Sequence, residues 1–302
     1  MKRAGVIGLG DMGSGLARNL IRAGFATTGL DLSEQRMAAL VAMGGRPAAS
    51  AREVGEQADG VFVMVMSGDQ AKAVILGEDG LVHALRPGAA VLLTTTIRPA
   101  EAREIGEALA GTGIALIDSP VSGGSAGAQD GTLTMMAAAP AAVLDEFRPL
   151  MAAVGRNIYH VGTGPGMGQT VKACLQSLIG GVYSATFEAA AMAAKAGIEG
   201  QLLHDVFTTS AAGSRIVDTS LQAIVDRRFS ATGSHINTMH KDLTIALDLA
   251  RELGVPLFTA AVAMQWFQAG RARYPDGDNQ AVARVIEELV GAELSSRKEP
   301  GR

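Results

Sequence analysis

The feature that most constrains the fold is an alternation of short apolar runs with amphipathic stretches between residues 4 and about 160. Gly, Asp, Ser or Pro follow most of these runs, as expected where strands end. Such an alternation is typical of a parallel sheet covered by helices. The predicted strands are Ala4 to Ile7, Ala26 to Leu30, Val61 to Met66, Ala90 to Thr94, Ala115 to Asp118, Leu133 to Ala137 and Asn157 to His160.

The chain after Gly162 has a different pattern. Gly164, Gly166 and Gly168 predict a flexible hinge, and the Ala-rich stretch from Gln169 to Ala196 contains no proline and predicts a long helix. Helical spacing recurs at residues 201–208, 216–227, 239–253, 256–269 and 278–290. We therefore predict two domains, residues 1–163 and 164–296, and a frayed tail at 297–302.

Composition excludes several classes of protein. The 26 basic and 30 acidic residues give a net charge of -4, which argues against an extended surface for nucleic acid or an anionic membrane. The single cysteine, Cys174, excludes an internal disulfide and a multi-thiolate zinc site, and it is typical of a reducing, cytoplasmic location. No His, Asp or Glu cluster has metal-ligand spacing. No apolar run approaches the roughly 20 residues of a membrane helix, so we expect a soluble protein.

A glycine-rich loop directly follows the first predicted strand and opens a predicted helix from Met12 to Arg22. The loop is Gly8-Leu9-Gly10-Asp11-Met12-Gly13, a G-x-G-x-x-G string. In this setting the glycines allow a tight turn, and a pyrophosphate can lie at the helix N-terminus. Asp31, at the end of the second strand, is placed to bind an adenosine ribose and to repel a 2'-phosphate, which favours NAD over NADP. Methyltransferases that bind S-adenosylmethionine use a similar loop and stay an alternative here.

Three further motifs follow the loop along the chain. They are Asp118-Ser119-Pro120-Val121-Ser122-Gly123-Gly124 with Gly131-Thr132-Leu133-Thr134, Gly168-Gln169-Thr170-Val171-Lys172, and Lys241-Asp242-Leu243. With these motifs the chain resembles the β-hydroxyacid dehydrogenase family from about residue 4 to 290. The resemblance implies an α/β Rossmann domain with a doubly wound sheet, then a long interdomain helix and an all-helical domain that often forms the oligomer interface. It also implies reversible NAD(P)-dependent oxidation of a small hydroxy acid.

Lys172 matches the family's catalytic lysine. Oxidation of an alcohol requires removal of its proton, and a lysine with an ordinary pKa near 10.4 is too basic to do this at neutral pH. Burial, or a neighbouring charge such as that of Lys241, would have to lower this pKa to roughly 7 or 8. Lys241 is also a candidate to bind substrate or cofactor.

The resemblance assigns further residues to the substrate and the cofactor. Ser122, Gly123 and Gly124 are expected in a loop after a strand, where amides and a hydroxyl bind the substrate carboxylate. Thr96 matches a threonine that contacts the cofactor near the nicotinamide ribose. Met66 and Ser67 match the loop after the family's fourth strand, on the edge that faces ligand.

One position departs from the family pattern. Many members carry Asn one helical turn after the lysine, where this chain has Gln176. Glutamine there resembles the branches that act on polyhydroxylated acids, so L-threonate or a glycerate or tartronate semialdehyde relative becomes a candidate substrate beside 3-hydroxyisobutyrate. The roles of Arg215, His235 and His240 stay open, as does the choice between dimer and tetramer. A non-catalytic NAD(P)-binding relative and an NADPH-dependent semialdehyde or imine reductase are the alternatives.

Overall fold

The computed structural model describes residues 2–295. The predicted tail at 297–302 lies outside the described residues. The chain divides into two compact units, and the division falls between Lys172 and Ala173. No helix of the described residues is long and apolar enough to cross a membrane.

The first unit is built on a nine-stranded sheet. The strands are β1 (Ala4–Ile7), β2 (Thr27–Leu30), β3 (Arg46–Pro47), β4 (Gly60–Val63), β5 (Ala90–Leu93), β6 (Ala115–Asp118), β7 (Val121–Ser122), β8 (Leu133–Ala138) and β9 (Gly155–Gly162). The central strands are parallel and lie in the order β3-β2-β1-β4-β5-β6. The sheet ends with β8 and β7, which pair antiparallel, while β9 pairs parallel with β8.

Helices cover both faces of this sheet. One buried apolar cluster includes Leu16, Phe62 and Phe147, and a second includes Val63 and Ile105. Chain order reverses at β1, which has β2 on one side and β4 on the other, and ligands of such sheets bind at this switch point. The helices are α1 (Asp11–Arg22), α2 (Glu34–Ala42), α3 (Ala51–Gln57), α4 (Gly68–Leu76), α5 (Pro99–Leu109), α6 (Gly124–Asp130) and α7 (Ala141–Val154), with a 3₁₀ helix at Leu81–His83.

The long helix α8 (Met167–Lys195) begins in the first unit and continues into the second. The second unit packs its helices around a core of its own, in which the Tyr183 ring lies 5.6 Å from that of Phe187 and 6.0 Å from that of Phe267. Its other helices are α9 (Gly200–Thr209), α10 (Arg215–Val225), α11 (Ile236–Glu252), α12 (Phe258–Arg273) and α13 (Ala281–Val290). The predicted α/β domain followed by an all-helical domain is therefore confirmed.

The structure corrects the predicted strands at several points, including β9, which extends over Gly155–Gly162 instead of Asn157 to His160. The two-residue strands β3 and β7 are not among the predicted strands, because a pair of residues carries no periodicity. The strand predicted as Val61 to Met66 ends at Val63. There the Val65 amide donates to the Thr95 hydroxyl oxygen at 2.9 Å instead of to a neighbouring backbone, so the chain leaves the sheet.

Two of the three glycines predicted to form a hinge, Gly166 and Gly168, are held by hydrogen bonds. Gly168 lies inside α8, and the amides of Gly166 and Gly168 donate to the Asp118 carboxylate at 2.8 and 3.0 Å. A Cβ atom on Gly168 would lie 2.6 Å from the Asp118 carbonyl oxygen. Glycine is therefore required here for close packing at the start of the helix.

Candidate active site

The loop between β1 and α1 leaves no room for side chains at two of its glycines. Gly8 has a φ of +90°, and a Cβ there would lie 2.3 Å from the Met64 carbonyl oxygen. A Cβ on Gly13 would lie 1.8 Å from the carbonyl oxygen of Gly8. This is the close helix–strand packing that the G-x-G-x-x-G motif predicts.

The N-terminus of α1 differs from those of the three helices that follow it. The side chains of Ser33, Ser50 and Ser67 accept hydrogen bonds from backbone amides and cap α2, α3 and α4. Gly10 caps α1, and no described side chain accepts a hydrogen bond there. Amides at the start of a helix bind anions, so the residues at this end of α1 fit a dinucleotide pyrophosphate.

Asp31 follows β2 and binds the same loop. Its carboxylate accepts hydrogen bonds from the Leu9 amide at 2.7 Å and the Ser33 amide at 2.9 Å, and Arg36 Nη1 lies 3.4 Å from both oxygens. Burial acts to raise the pKa of Asp31, but the two amides and the Arg36 charge outweigh it and lower the pKa. Arg36 also lines a cleft of about 310 Å³ beside Gly10 and Met43. Asp31 is therefore charged at neutral pH, next to a space that an adenosine group can enter.

The loops after β4 and β5 lie at the same sheet edge. Thr95 joins them, because its hydroxyl donates to the Val63 carbonyl oxygen and accepts from the Val65 amide, both at 2.9 Å. Met66 is 63% exposed, whereas the Ser67 side chain caps α4. Thr96 is half-buried beside Thr95.

Lys172 lies on α8 and is buried. Its Nζ donates a hydrogen bond to the Val121 carbonyl oxygen at 2.8 Å. This contact places the lysine amine next to Ser122, which the sequence predicts as a substrate-binding residue. The structure therefore brings together the candidate base and the candidate carboxylate-binding segment.

Ser122, Gly123 and Gly124 lie in regular structure rather than in the predicted loop. Ser122 belongs to β7, whereas Gly124 begins α6 and Gly123 is its N-cap. The φ angles of Gly123 and Gly124 are +137° and +63°, values that favour glycine at both positions. Apart from its chain neighbours and the backbone of α6, no described atom lies within 4 Å of the place a Cβ on Gly124 would occupy, so a ligand can approach its backbone.

A buried carboxylate to which the sequence assigns no role of its own anchors the start of α8. Asp118 accepts hydrogen bonds from the amides of Gly166, Gly168 and Gln169 at 2.8, 3.0 and 3.3 Å, and from the Gln169 side chain at 2.9 Å. Gln169 also bonds the Thr95 carbonyl oxygen and the Ile97 amide on either side of Thr96. Burial raises the pKa of Asp118 to about 6, while the hydrogen bonds act to lower it.

A second buried carboxylate, also without an assigned role in the sequence, lies in the second unit. Asp242 of α11 accepts a hydrogen bond from Gln176 Nε2 at 2.7 Å. Its other oxygen lies 3.0 Å from the Nζ of Lys241. Two residues predicted to bind ligand, Gln176 and Lys241, therefore share one carboxylate partner.

Two of the three residues whose roles stayed open have structural contacts. His235 is the N-cap of α11, where its side chain accepts from the Asn237 amide at 3.2 Å. His240 lies 2.6 Å from Gln268 Oε1. Arg215 begins α10 and is exposed. Within residues 2–295, no group of three or more His, Cys, Asp or Glu residues is arranged to hold a metal ion.

Comparison with known proteins agrees with this geometry. Residues 3–162 match the family model of the NAD binding domain of 6-phosphogluconate dehydrogenase. Residues 166–286 match the model described as NAD-binding of NADP-dependent 3-hydroxyisobutyrate dehydrogenase. The first match includes the glycine-rich loop, and the second includes most of the helical unit.

Curated relatives and a solved structure cover almost the whole chain. L-threonate dehydrogenase of Escherichia coli O6:H1 is 37% identical over 93% of this chain and 94% of its own length. NAD-dependent L-serine dehydrogenase of Pseudomonas aeruginosa is 37% identical over 96% of this chain and all of its own. A crystal structure of 3-hydroxyisobutyrate dehydrogenase from Salmonella typhimurium superposes with a TM-score of 0.87 at 37% identity, covering 94% of this chain and 100% of that one.

The dinucleotide loop, the buried lysine and these matches define an oxidoreductase that uses NAD. The chain belongs to the β-hydroxyacid dehydrogenase family, as its motifs indicate. It is an NAD-dependent hydroxyacid dehydrogenase, and its substrate is a small hydroxy acid.

Proposed function

We propose that the enzyme oxidises a short polyhydroxylated acid, of which L-threonate is the model, and that Lys172 is its general acid/base. The observation that carries the proposal is the hydrogen bond from Lys172 Nζ to the Val121 carbonyl oxygen at 2.8 Å. It holds the amine beside Ser122, and the substrate class is supported by the L-threonate dehydrogenases among the relatives.

The assigned roles follow the course of the reaction. Ser122, Gly123 and Gly124 hold the substrate carboxylate, and Gln176 and Lys241 bind other polar groups of substrate or cofactor. NAD, when bound, would supply the acceptor for the hydride that leaves the alcohol carbon. Lys172 takes the hydroxyl proton as the carbon–oxygen double bond forms, so its amine must be neutral when the alcohol binds, and it returns the proton in the reverse direction.

The cofactor is assigned to the first unit. The start of α1 and the loop Gly8, Leu9, Gly10, Asp11, Met12 and Gly13 would hold the pyrophosphate, and Asp31 would bind the adenosine ribose. Thr96, Met66 and Ser67 would contact the cofactor towards its nicotinamide end. In the second unit, Lys241 is assigned to the cofactor.

The test is NADH formation from NAD with a panel of three- and four-carbon hydroxy acids, using wild type, Lys172→Ala and Lys195→Ala. We expect Lys172→Ala to lower kcat by about 10² to 10⁴ while its affinity for NADH, measured by fluorescence, changes little. Lys195 is a matched control, because it also lies on α8 and donates to a backbone carbonyl, that of Val290, at 2.8 Å. Full turnover in Lys172→Ala would refute the mechanism, and tight NADH binding without turnover of any acid would favour a non-catalytic protein.

We also infer a cytoplasmic homodimer or homotetramer. The location is supported by the single cysteine, Cys174, which is free. Assembly is supported by large apolar side chains that the second unit exposes, including Leu178, Met192 and Leu289. Light scattering coupled to gel filtration measures the mass of the assembly, and a monomer would contradict this inference.

A further inference from the structure

The side-chain amide of Gln176 has a fixed partner on only one of its two ends. Gln176 is buried, and its Nε2 donates to Asp242 Oδ2 at 2.7 Å and lies 3.6 Å from the sulfur of Met239. Its carbonyl oxygen, Oε1, accepts no hydrogen bond from any residue that the structure describes. The amide therefore has a satisfied donor end and an acceptor that is available to a ligand.

Asp242 determines the orientation of the Gln176 side-chain amide. A carboxylate accepts hydrogen bonds and donates none, so only the NH₂ group of Gln176 can face it. Lys241 Nζ, 3.0 Å from the other oxygen, supports the charge of this buried carboxylate in an ion pair that lacks hydrogen-bond geometry. Rotating the amide by half a turn would place two oxygens against each other at hydrogen-bond distance. The amide is thus locked with its oxygen away from Asp242.

We infer that Asp242 is a positioning residue that presents Gln176 Oε1 as a hydrogen-bond acceptor for a second hydroxyl group of the substrate. The inference rests on the proposed function, which places Gln176 at the substrate, one helical turn after Lys172 on α8. It assigns a chemical requirement to the site. The preferred acid carries a hydroxyl group besides the one that is oxidised.

This requirement separates two candidate substrates. L-Threonate has hydroxyl groups beyond the reacting one, whereas 3-hydroxyisobutyrate has a methyl substituent that donates no hydrogen bond. A methyl group against Oε1 would leave a buried carbonyl without a partner, and sites built to bind a hydroxyl reject analogues that lack it by large factors. We therefore expect kcat/KM to be higher for threonate than for 3-hydroxyisobutyrate.

Two substitutions test the lock and the acceptor separately. Asp242→Asn keeps the shape of the side chain but can donate as well as accept, so the amide of Gln176 is free to rotate. Gln176→Met keeps most of the length of the side chain and removes the acceptor. The matched control is Asp248→Asn, the same change on the same helix, at a residue that pairs with Arg251.

The measured quantity is the ratio of kcat/KM for threonate to kcat/KM for 3-hydroxyisobutyrate. This ratio does not depend on the fraction of active protein, so a partly unfolded variant still reports it. We expect Gln176→Met and Asp242→Asn each to lower the ratio by about tenfold or more, mainly through threonate. The double variant should fall no further than Gln176→Met, because both changes remove one interaction. Asp248→Asn should stay within about twofold of wild type.

The results that would overturn this inference differ from those that would overturn the proposed function. An unchanged ratio in either single variant, with turnover intact, would overturn the inference and leave Lys172 as the base. A wild type that prefers 3-hydroxyisobutyrate would also overturn it. L-Serine, whose second donor is an ammonium group, is the third substrate, and faster turnover of serine than of threonate would overturn the assignment to a hydroxyl group.

Discussion

Asp118 and Asp242 are both carboxylates buried in the core of a unit, yet they are bound in opposite ways. Asp118 accepts hydrogen bonds from three backbone amides and from the Gln169 side chain, all at the start of α8. Asp242 is bound by two side chains, the amide of Gln176 and the ammonium of Lys241. The difference lies in what would move if the carboxylate were lost.

Backbone donors tie a carboxylate to the fold, whereas side-chain donors tie it to particular residues. The backbone amides that donate to Asp118 cannot reach another acceptor unless the first turn of α8 unwinds. Lys172 lies on this same helix. Gln176 can rotate, and Lys241 is 30% exposed, so it can reach water. We conclude that Asp118 stabilises the frame of the site and that Asp242 adjusts its selectivity.

The largest expected effect is on stability, and it compares Asp118→Ala with Asp242→Ala. Asp118→Ala leaves three buried backbone amides without an acceptor and leaves Gln169 Nε2 with the Thr95 carbonyl oxygen alone. Each buried donor without a partner costs about 1 to 3 kcal/mol. We expect the free energy of unfolding to fall by about 4 kcal/mol, against about 1 to 2 kcal/mol for Asp242→Ala. Urea denaturation followed by circular dichroism measures both values.

A surface control fixes the baseline of this measurement. Asp145 pairs with Arg148 on the exposed side of α7, and Asp145→Ala should change the free energy of unfolding by less than about 0.5 kcal/mol. Equal losses at Asp118 and Asp242 would break the comparison, because they would mean that backbone and side-chain donors constrain a buried carboxylate to the same extent.

Features that are local in the chain could be predicted from the sequence. The glycine loop and Asp31 belong to a single strand–helix–strand segment, so their spacing was enough to place them at one sheet edge. The long helix with Lys172 was also predicted, because an Ala-rich stretch without proline favours helix over many residues.

Contacts between distant residues could not be predicted in the same way. Asp118 and Gly168 both belong to recognisable motifs, but their hydrogen bond joins the end of β6 to the start of α8 across the fold. The three glycines therefore suggested a flexible hinge instead of an anchored helix start. The partnership of Gln176 with Asp242 similarly depends on the packing of α8 against α11, which no sequence spacing reports.

A second expected effect is a pH dependence that belongs to Asp118. Its pKa is raised from 3.8 to about 6 by burial, so the folded state binds the proton more tightly than the unfolded state does. The contribution of this carboxyl to stability is then fully present below pH 3.8 and is lost as the pH rises through about 6. Since one pH unit corresponds to about 1.4 kcal/mol, the loss amounts to about 3 kcal/mol at most.

The difference between wild type and Asp118→Asn isolates this effect. Urea denaturation at several pH values between 4 and 7 should give a wild-type stability that declines with rising pH relative to the variant, in which the group does not titrate. Carbon-detected NMR of the Asp118 carboxyl should give a midpoint near 6. A midpoint below 4 would mean that the four hydrogen bonds outweigh burial.

The smallest expected effect concerns Asp31, which combines both kinds of partner. Like Asp118, it accepts hydrogen bonds from backbone amides, those of Leu9 and Ser33. Like Asp242, it also forms an ion pair with a cationic side chain, that of Arg36. Its lowered pKa keeps it charged at neutral pH, and we propose that this charge repels the 2'-phosphate of NADP. Asp31→Asn removes this charge and releases Arg36, so we expect the preference for NAD over NADP, as a ratio of kcat/KM, to fall about tenfold.

Asp59→Asn is the matched control for this change. Asp59 also accepts a backbone amide, that of Arg3, and pairs with the Arg3 and Arg86 side chains. Because the cofactor ratio does not depend on the amount of active enzyme, a loss of stability in either variant leaves it unaffected, and Asp59→Asn should keep the wild-type value. If the preference for NAD over NADP is unchanged in Asp31→Asn, Asp31 contributes to the site through its two backbone hydrogen bonds and not through its charge. Asp31 would then resemble Asp118, which is bound by backbone donors, and would not combine the properties of Asp118 and Asp242.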